Sequence, residues 1–131
     1  MILVDSNVWI FLNIQATPEH QAAKGKIEEL RTEGIATNII IVSEVFHQLS
    51  RMLGKAESLA RVQRILDSAD VSYFPLEDRL ARSAIHLAAT KPVRINDAII
   101  AQQAMVLKIP VLTDNVKDFR KVNGLKVIPL R

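Results

Sequence analysis

Five carboxylates stand where a folding chain has no obvious need of them. Asp5 interrupts the run "MILVDSNVWIFL", where a buried strand should stop and a helix begin. Glu44 lies inside "IIIVSEVFHQL", beside Val45 and three residues from Ile41, with no Lys or Arg three or four positions away to pair with it. Asp97 opens the very apolar "DAIIAQQAMVLK", and Asp114 and Asp118 flank a turn in "LTDNVKDF". Taken singly, each has an ordinary explanation. Asp97 reads as a helix cap, Asp114 as turn chemistry, and Glu44 as part of a solvated stripe with His47, Gln48 and Arg51.

Taken together, they point to one chemistry. Two bare carboxylates about 5 Å apart repel by about 3 kcal/mol at an effective dielectric near 20. Three or four in one cleft therefore require protons or a bridging cation. With no Cys and only three His in the chain, hard divalent ions held by oxygen, Mg²⁺ or Mn²⁺, come ahead of zinc. Such ions serve phosphoryl chemistry. The charge pattern agrees: residues 1–50 carry 3 Lys and Arg against 6 Asp and Glu, residues 51–131 carry 14 against 8. A basic half suits a nucleic-acid backbone.

The elements that must position these acids follow from apolar patterning. "ILVD" reads as a short buried strand and "NVWIFLNIQ" as the helix after it. Pro18 and Gly34 mark the start and stop of a second helix, and "IAT" is a brief strand. Val42, Val45, Phe46, Leu49 and Met52 recur at helical spacing, predicting a helix over Ile39–Leu53 that ends at Gly54. Another runs from Lys55 to Ser68. Strand "VSYF", helix "LEDRLARSAIHLAAT", the buried helix from Asp97, strand "IPVLT", a short turn or helix "NVKDFRKV" and strand "LKVIPL" complete the chain. Buried strands alternating with helices predict an α/β fold, a three-layer α/β/α sandwich on a parallel sheet, as one domain spanning 1–131. Ligands of such sheets bind beyond the carboxyl ends of the strands, which is where Asp5 and Asp114 fall.

"LVDSNVWI", "SEVFHQL", "INDAIIAQQA" and "VLTDNVKDF", in this order and spacing, resemble the PIN-domain family, and within it the toxin ribonucleases of VapBC type. The resemblance implies a Mg²⁺- or Mn²⁺-dependent endoribonuclease acting on RNA, commonly a homodimer, and often held in check by a small antitoxin. By position it implies Asp5 and Asp97 as principal metal ligands, with Glu44 completing the cluster and helping to place a metal or the attacking water. Asp118, before Phe119, fits the "DF" form of the last loop and is preferred as fourth acid; Asp114 stays in the candidate set. Ser6 and Asn7 match the polar pair that orients the first acid, Thr113 and Asn115 match polar positions of the last loop, and Arg94 is the basic residue placed nearest the proposed cleft.

Rival signals are weaker. Glu44-x-x-His47 lacks the second Glu-x-x-His of a diiron bundle. The phosphoaspartyl phosphatase pattern expects an acid at Asn7, and receiver domains expect an acidic pair where only Asp5 stands. A catalytically silent PIN-fold module that binds RNA or protein is the alternative from another class. The absence of a basic leader, of a membrane-length apolar run and of Cys leads to the expectation of a soluble, cytoplasmic protein.

Overall fold

A computed structural model describes all 131 residues. Five three-residue strands alternate with helices: β1 (Ile2–Val4), α1 (Ser6–Asn13), α2 (His20–Leu30), β2 (Ile35–Thr37), α3 (Ile39–Leu53), α4 (Lys55–Asp67), β3 (Val71–Tyr73), α5 (Asp78–Thr90), α6 (Ile95–Leu107), β4 (Val111–Thr113), α7 (Val116–Phe119) and β5 (Val127–Pro129). The strands form one sheet in the order β3-β2-β1-β4-β5, every pair parallel. Helices packed as the pairs α1–α2, α3–α4 and α5–α6 complete a three-layer α/β/α sandwich.

The central strands have no solvated face. β1, β2 and β4 are buried at every residue, while the edge strands β3 and β5 are partly exposed. A parallel strand covered on both sides must be apolar throughout, which is what Ile2-Leu3-Val4 and Val111-Leu112 supply. The strand order reverses between β1 and β4, since the chain leaves β1 for β2 on one side and returns to β4 on the other. A crevice opens at the carboxyl ends of these two strands. Asp5 follows β1 directly and Asp114 follows β4 directly.

Several element boundaries differ from the sequence expectation, each for a local reason. α1 begins at Ser6 because the Asp5 carboxylate caps it. α2 begins two residues beyond Pro18 and gives way to a 3-10 turn, Arg31–Glu33, before Gly34 at φ +87°. α6 begins at Ile95 rather than at Asp97. No helix is long and apolar enough to cross a membrane.

Candidate active site

Asp5 is the best-determined member of the acidic set. It is only 4% exposed. Its Oδ1 accepts from the backbone N–H of Ser6 at 2.8 Å, and its Oδ2 accepts from the Thr113 hydroxyl at 2.7 Å. Thr113 Oγ1 in turn accepts from Asn7 Nδ2 at 3.3 Å and from the Asn115 backbone N–H at 2.9 Å, so its one donor and two acceptor sites are all in use. Asn7 Oδ1 also accepts the Asp114 backbone N–H at 3.3 Å. The end of β4 is thereby tied to the end of β1. Ser6 touches Asp5 through its backbone and not its hydroxyl, and Asn7 reaches Asp5 through Thr113.

Glu44 and Asp97 face the same cleft. It holds about 590 Å³ and is lined by Asp5, Ser6, Asn7, Glu44, Arg94, Asp97 and Asn115 of the predicted residues. Glu44 is not on an open stripe: its side chain is 23% exposed, its Oε1 is buried without a partner, and its Oε2 lies 3.5 Å from Arg94 of a different element. Asp97 is 6% exposed. Because α6 starts at Ile95, with Arg94 at the cap position and no side-chain cap bond, Asp97 sits inside the first turn and does no capping.

The two remaining acids stand apart from the cleft lining. Asp114 is engaged by Arg131, whose Nε and Nη2 donate to its two oxygens at 3.1 and 3.0 Å while the same guanidinium reaches Glu19 at 3.5 Å. Asp118 is held by Lys121 at 3.1 Å, and its charge is felt by Asp97. Ser43, His47, Gln48 and Asn96 also line the cleft. They carry no motif of their own, yet His47 and Gln48 lie three and four residues beyond Glu44, one turn along the same helical face.

Electrostatics set Asp5 and Asp97 off from ordinary carboxylates. Burial pushes Asp5 up to about 6, against the pull of its bonds from Thr113 and Ser6 and with a further push from Asp97 and Glu44. Burial likewise raises Asp97, Arg94 opposing and Glu44 and Asp118 adding to the rise. Hydrogen bonds from Asn115 and Lys121 hold Asp118 below the usual range. Two raised carboxyls and an orphaned carboxylate oxygen in one polar cleft form a site short of positive charge. As the side chains stand, no three of them close into a ligand cluster; the cation nearest Glu44 is the Arg94 guanidinium.

The fold recurs in known structures. Mycobacterium tuberculosis VapC20, a toxin that cleaves the sarcin-ricin loop, superposes with a TM-score of 0.82 at 20% identity, covering 98% of this chain and 100% of that one. The Rickettsia felis VapBC2 complex bound to promoter DNA gives 0.79 at 17% identity, covering 98% of each chain. Neisseria gonorrhoeae FitAcB gives 0.76 at 18%, covering 99% of this chain and 98% of the other. No curated protein matches by sequence. The family model described as the PIN domain matches residues 2–125, a span that runs from the first strand past all five acids and takes in the whole cleft. This chain belongs to the PIN-domain family.

Proposed function

We propose that this protein is a Mg²⁺- or Mn²⁺-dependent endoribonuclease that hydrolyses RNA phosphodiester bonds in the cytoplasm, as the toxin of a VapBC-type pair. The observation that carries the reading is the meeting of Asp5, Glu44 and Asp97, from the ends or interiors of three elements, in one polar cleft at the sheet's switch point. The donor chemistry fits a hard divalent ion: all three offer oxygen, and Glu44 Oε1 is buried with nothing bonded to it. Asp5, Glu44 and Asp97 would hold the metal, with Asp118 the preferred fourth acid and Asp114, already committed to Arg131, the weaker one. When bound, the ion supplies charge neutralisation at the scissile phosphate and lowers the pKa of water.

The chain's own residues set the geometry. Ser6 and Thr113 fix both oxygens of Asp5 with one hydrogen bond each, leaving each oxygen further acceptor capacity, and Asn7 and Asn115 hold Thr113 in place. Glu44 Oε1, buried and unpartnered, is the acceptor left for a bound ion or an attacking water once the cleft is loaded. Arg94, exposed at the cleft edge, offers a guanidinium to a phosphate oxygen.

The neighbours bear on the partner of this chain. Several are toxin–antitoxin complexes, which supports a small antitoxin protein as partner, and a homodimer is the proposed toxin assembly. A small upstream gene encoding a DNA-binding antitoxin would be the genetic counterpart of the proposal. Incubating the protein with labelled single-stranded RNA tests the activity: cleavage is expected with Mn²⁺ or Mg²⁺ and is lost in EDTA and in Asp5→Asn or Asp97→Asn. Equal cleavage in EDTA overturns the reading. The open arrangement of the acids favours one rival, a silent module of the same fold. Calorimetric titration separates the two, since a silent module takes up no Mn²⁺ at millimolar concentration.

A further inference from the structure

Arg94 is out of place by local rules. It occupies the N-cap of α6, a position that favours Ser, Thr, Asp or Asn, and its side chain caps nothing. A cation there also opposes the positive end of the helix dipole. The compensation is tertiary. Arg94 Nη2 lies 3.5 Å from Glu44 Oε2 on α3, and its charge acts on Asp97 one turn into its own helix. That contact is loose, longer than the 2.7–2.9 Å of a tight charged hydrogen bond. The Arg94 side chain is 72% exposed, so charge and not packing keeps it there. Among the residues lining the cleft it is the one with a permanent positive charge.

We infer that Arg94 is a displaceable counter-ion, which neutralises Glu44 until a divalent cation claims that carboxylate and then turns outward to bind a phosphate of the RNA backbone. The inference rests on the metal-dependent reading of the site and adds an order to it: loading the cleft creates the phosphate contact. A divalent ion drawn to Glu44 would repel the guanidinium that already stands 3.5 Å from Oε2, so the two positive charges compete for this carboxylate. A guanidinium released at the mouth of the cleft keeps its planar fork of donors, which matches a phosphate better than any other side chain does.

Two titrations of the full chain test this. Arg94→Gln removes the charge and keeps a polar side chain. Calorimetry with Mn²⁺ alone is expected to show five- to tenfold tighter binding by the variant than by the wild type. Single-stranded RNA binding, read by stopped-flow anisotropy before turnover, is expected to weaken about tenfold in Mn²⁺ and to stay unchanged in EDTA. The salt slope in Mn²⁺ is expected to fall by about 0.7, the loss of one phosphate contact. Arg94→Met, equally uncharged, makes the same predictions should the Gln variant fail to fold. Equal Mn²⁺ affinity in wild type and variant overturns the counter-ion role alone. An equal loss of RNA affinity with and without Mn²⁺ overturns it too, by making Arg94 a constant phosphate contact. A wild type that takes up no Mn²⁺ overturns the site's metal reading and this inference with it.

Discussion

At the scale of single residues, the chemistry of the cleft turns on one carboxyl. Asp5 titrates near 3.8 when unfolded and about 6 when folded, chiefly because burial disfavours its charge. The folded chain therefore holds a proton between those values that the unfolded chain has released. This contribution to stability is complete below about pH 4 and is lost as pH rises through about 6, a change of roughly 3 kcal/mol. In EDTA, Asp5→Asn is expected to lack this fall and to gain on the wild type between pH 4 and 7. Urea unfolding at several pH values checks it; parallel curves for the two proteins would refute the assignment. Thr113 makes the complementary prediction. Its hydroxyl is one of two donors pulling Asp5 down. Thr113→Val keeps the shape and removes the bond, so the acid limb of the pH–rate profile should move to higher pH and activity at pH 7 should fall 10- to 100-fold. Thr113→Ser should restore both.

At the scale of elements, the question is what holds α3 and α6 so that Glu44 and Asp97 face each other. Asn38, fully buried, caps α3 by accepting the Ile41 N–H at 2.9 Å, and its amide donates to Gln103 Oε1 on α6. Gln103 Nε2 continues to the Pro75 carbonyl at 3.4 Å. Asn38→Ala removes a cap worth about 1 kcal/mol and strands a buried amide at about 1–3 kcal/mol more, for a loss of roughly 2–4 kcal/mol. Adding Gln103→Met should recover part of it, a non-additivity that a double-mutant cycle in urea reads directly. α6 ends on Lys108 at φ +57°, the chain's one left-handed residue other than glycine. Lys108→Gly should relieve that strain and raise stability by about 0.5–1 kcal/mol, visible as a higher Tm. These details mark the limit of legibility. The strands and the bounds of α3 were readable because apolar runs and helical spacing are local signals. The start of α6 was not, since an Arg at a cap position contradicts every local rule until Glu44 is seen opposite it. The bonds Thr113–Asp5 and Asn38–Gln103 join residues 108 and 65 apart in sequence, and no window of the chain encodes them.

At the scale of the whole molecule, the fold carries a charge defect at its switch point, and on the proposed metal-dependent reading that defect should couple stability to metal. Three acids share a cleft whose nearest fixed cation is a loosely held guanidinium. An ion that binds the folded chain and not the unfolded one stabilises it by RT ln(1 + [M]/Kd), about 2.7 kcal/mol at one hundred times Kd. Asp5 must lose its proton to serve as a ligand, so the gain depends on pH. Near pH 5 most folded molecules keep that proton, and Mn²⁺ must compete with it. Above pH 7 it is gone, and the same Mn²⁺ concentration should raise Tm by several degrees more. Removing Asp5 and Asp97 together, as Asp5→Asn/Asp97→Asn, should abolish the metal response while raising the metal-free Tm at neutral pH, because the buried charges go with it. Differential scanning calorimetry of both proteins at pH 5 and 7.5, with Mn²⁺ or EDTA, measures these effects. A Mn²⁺ effect equal at the two pH values, or retained by the double variant, would place the ion somewhere other than this cleft.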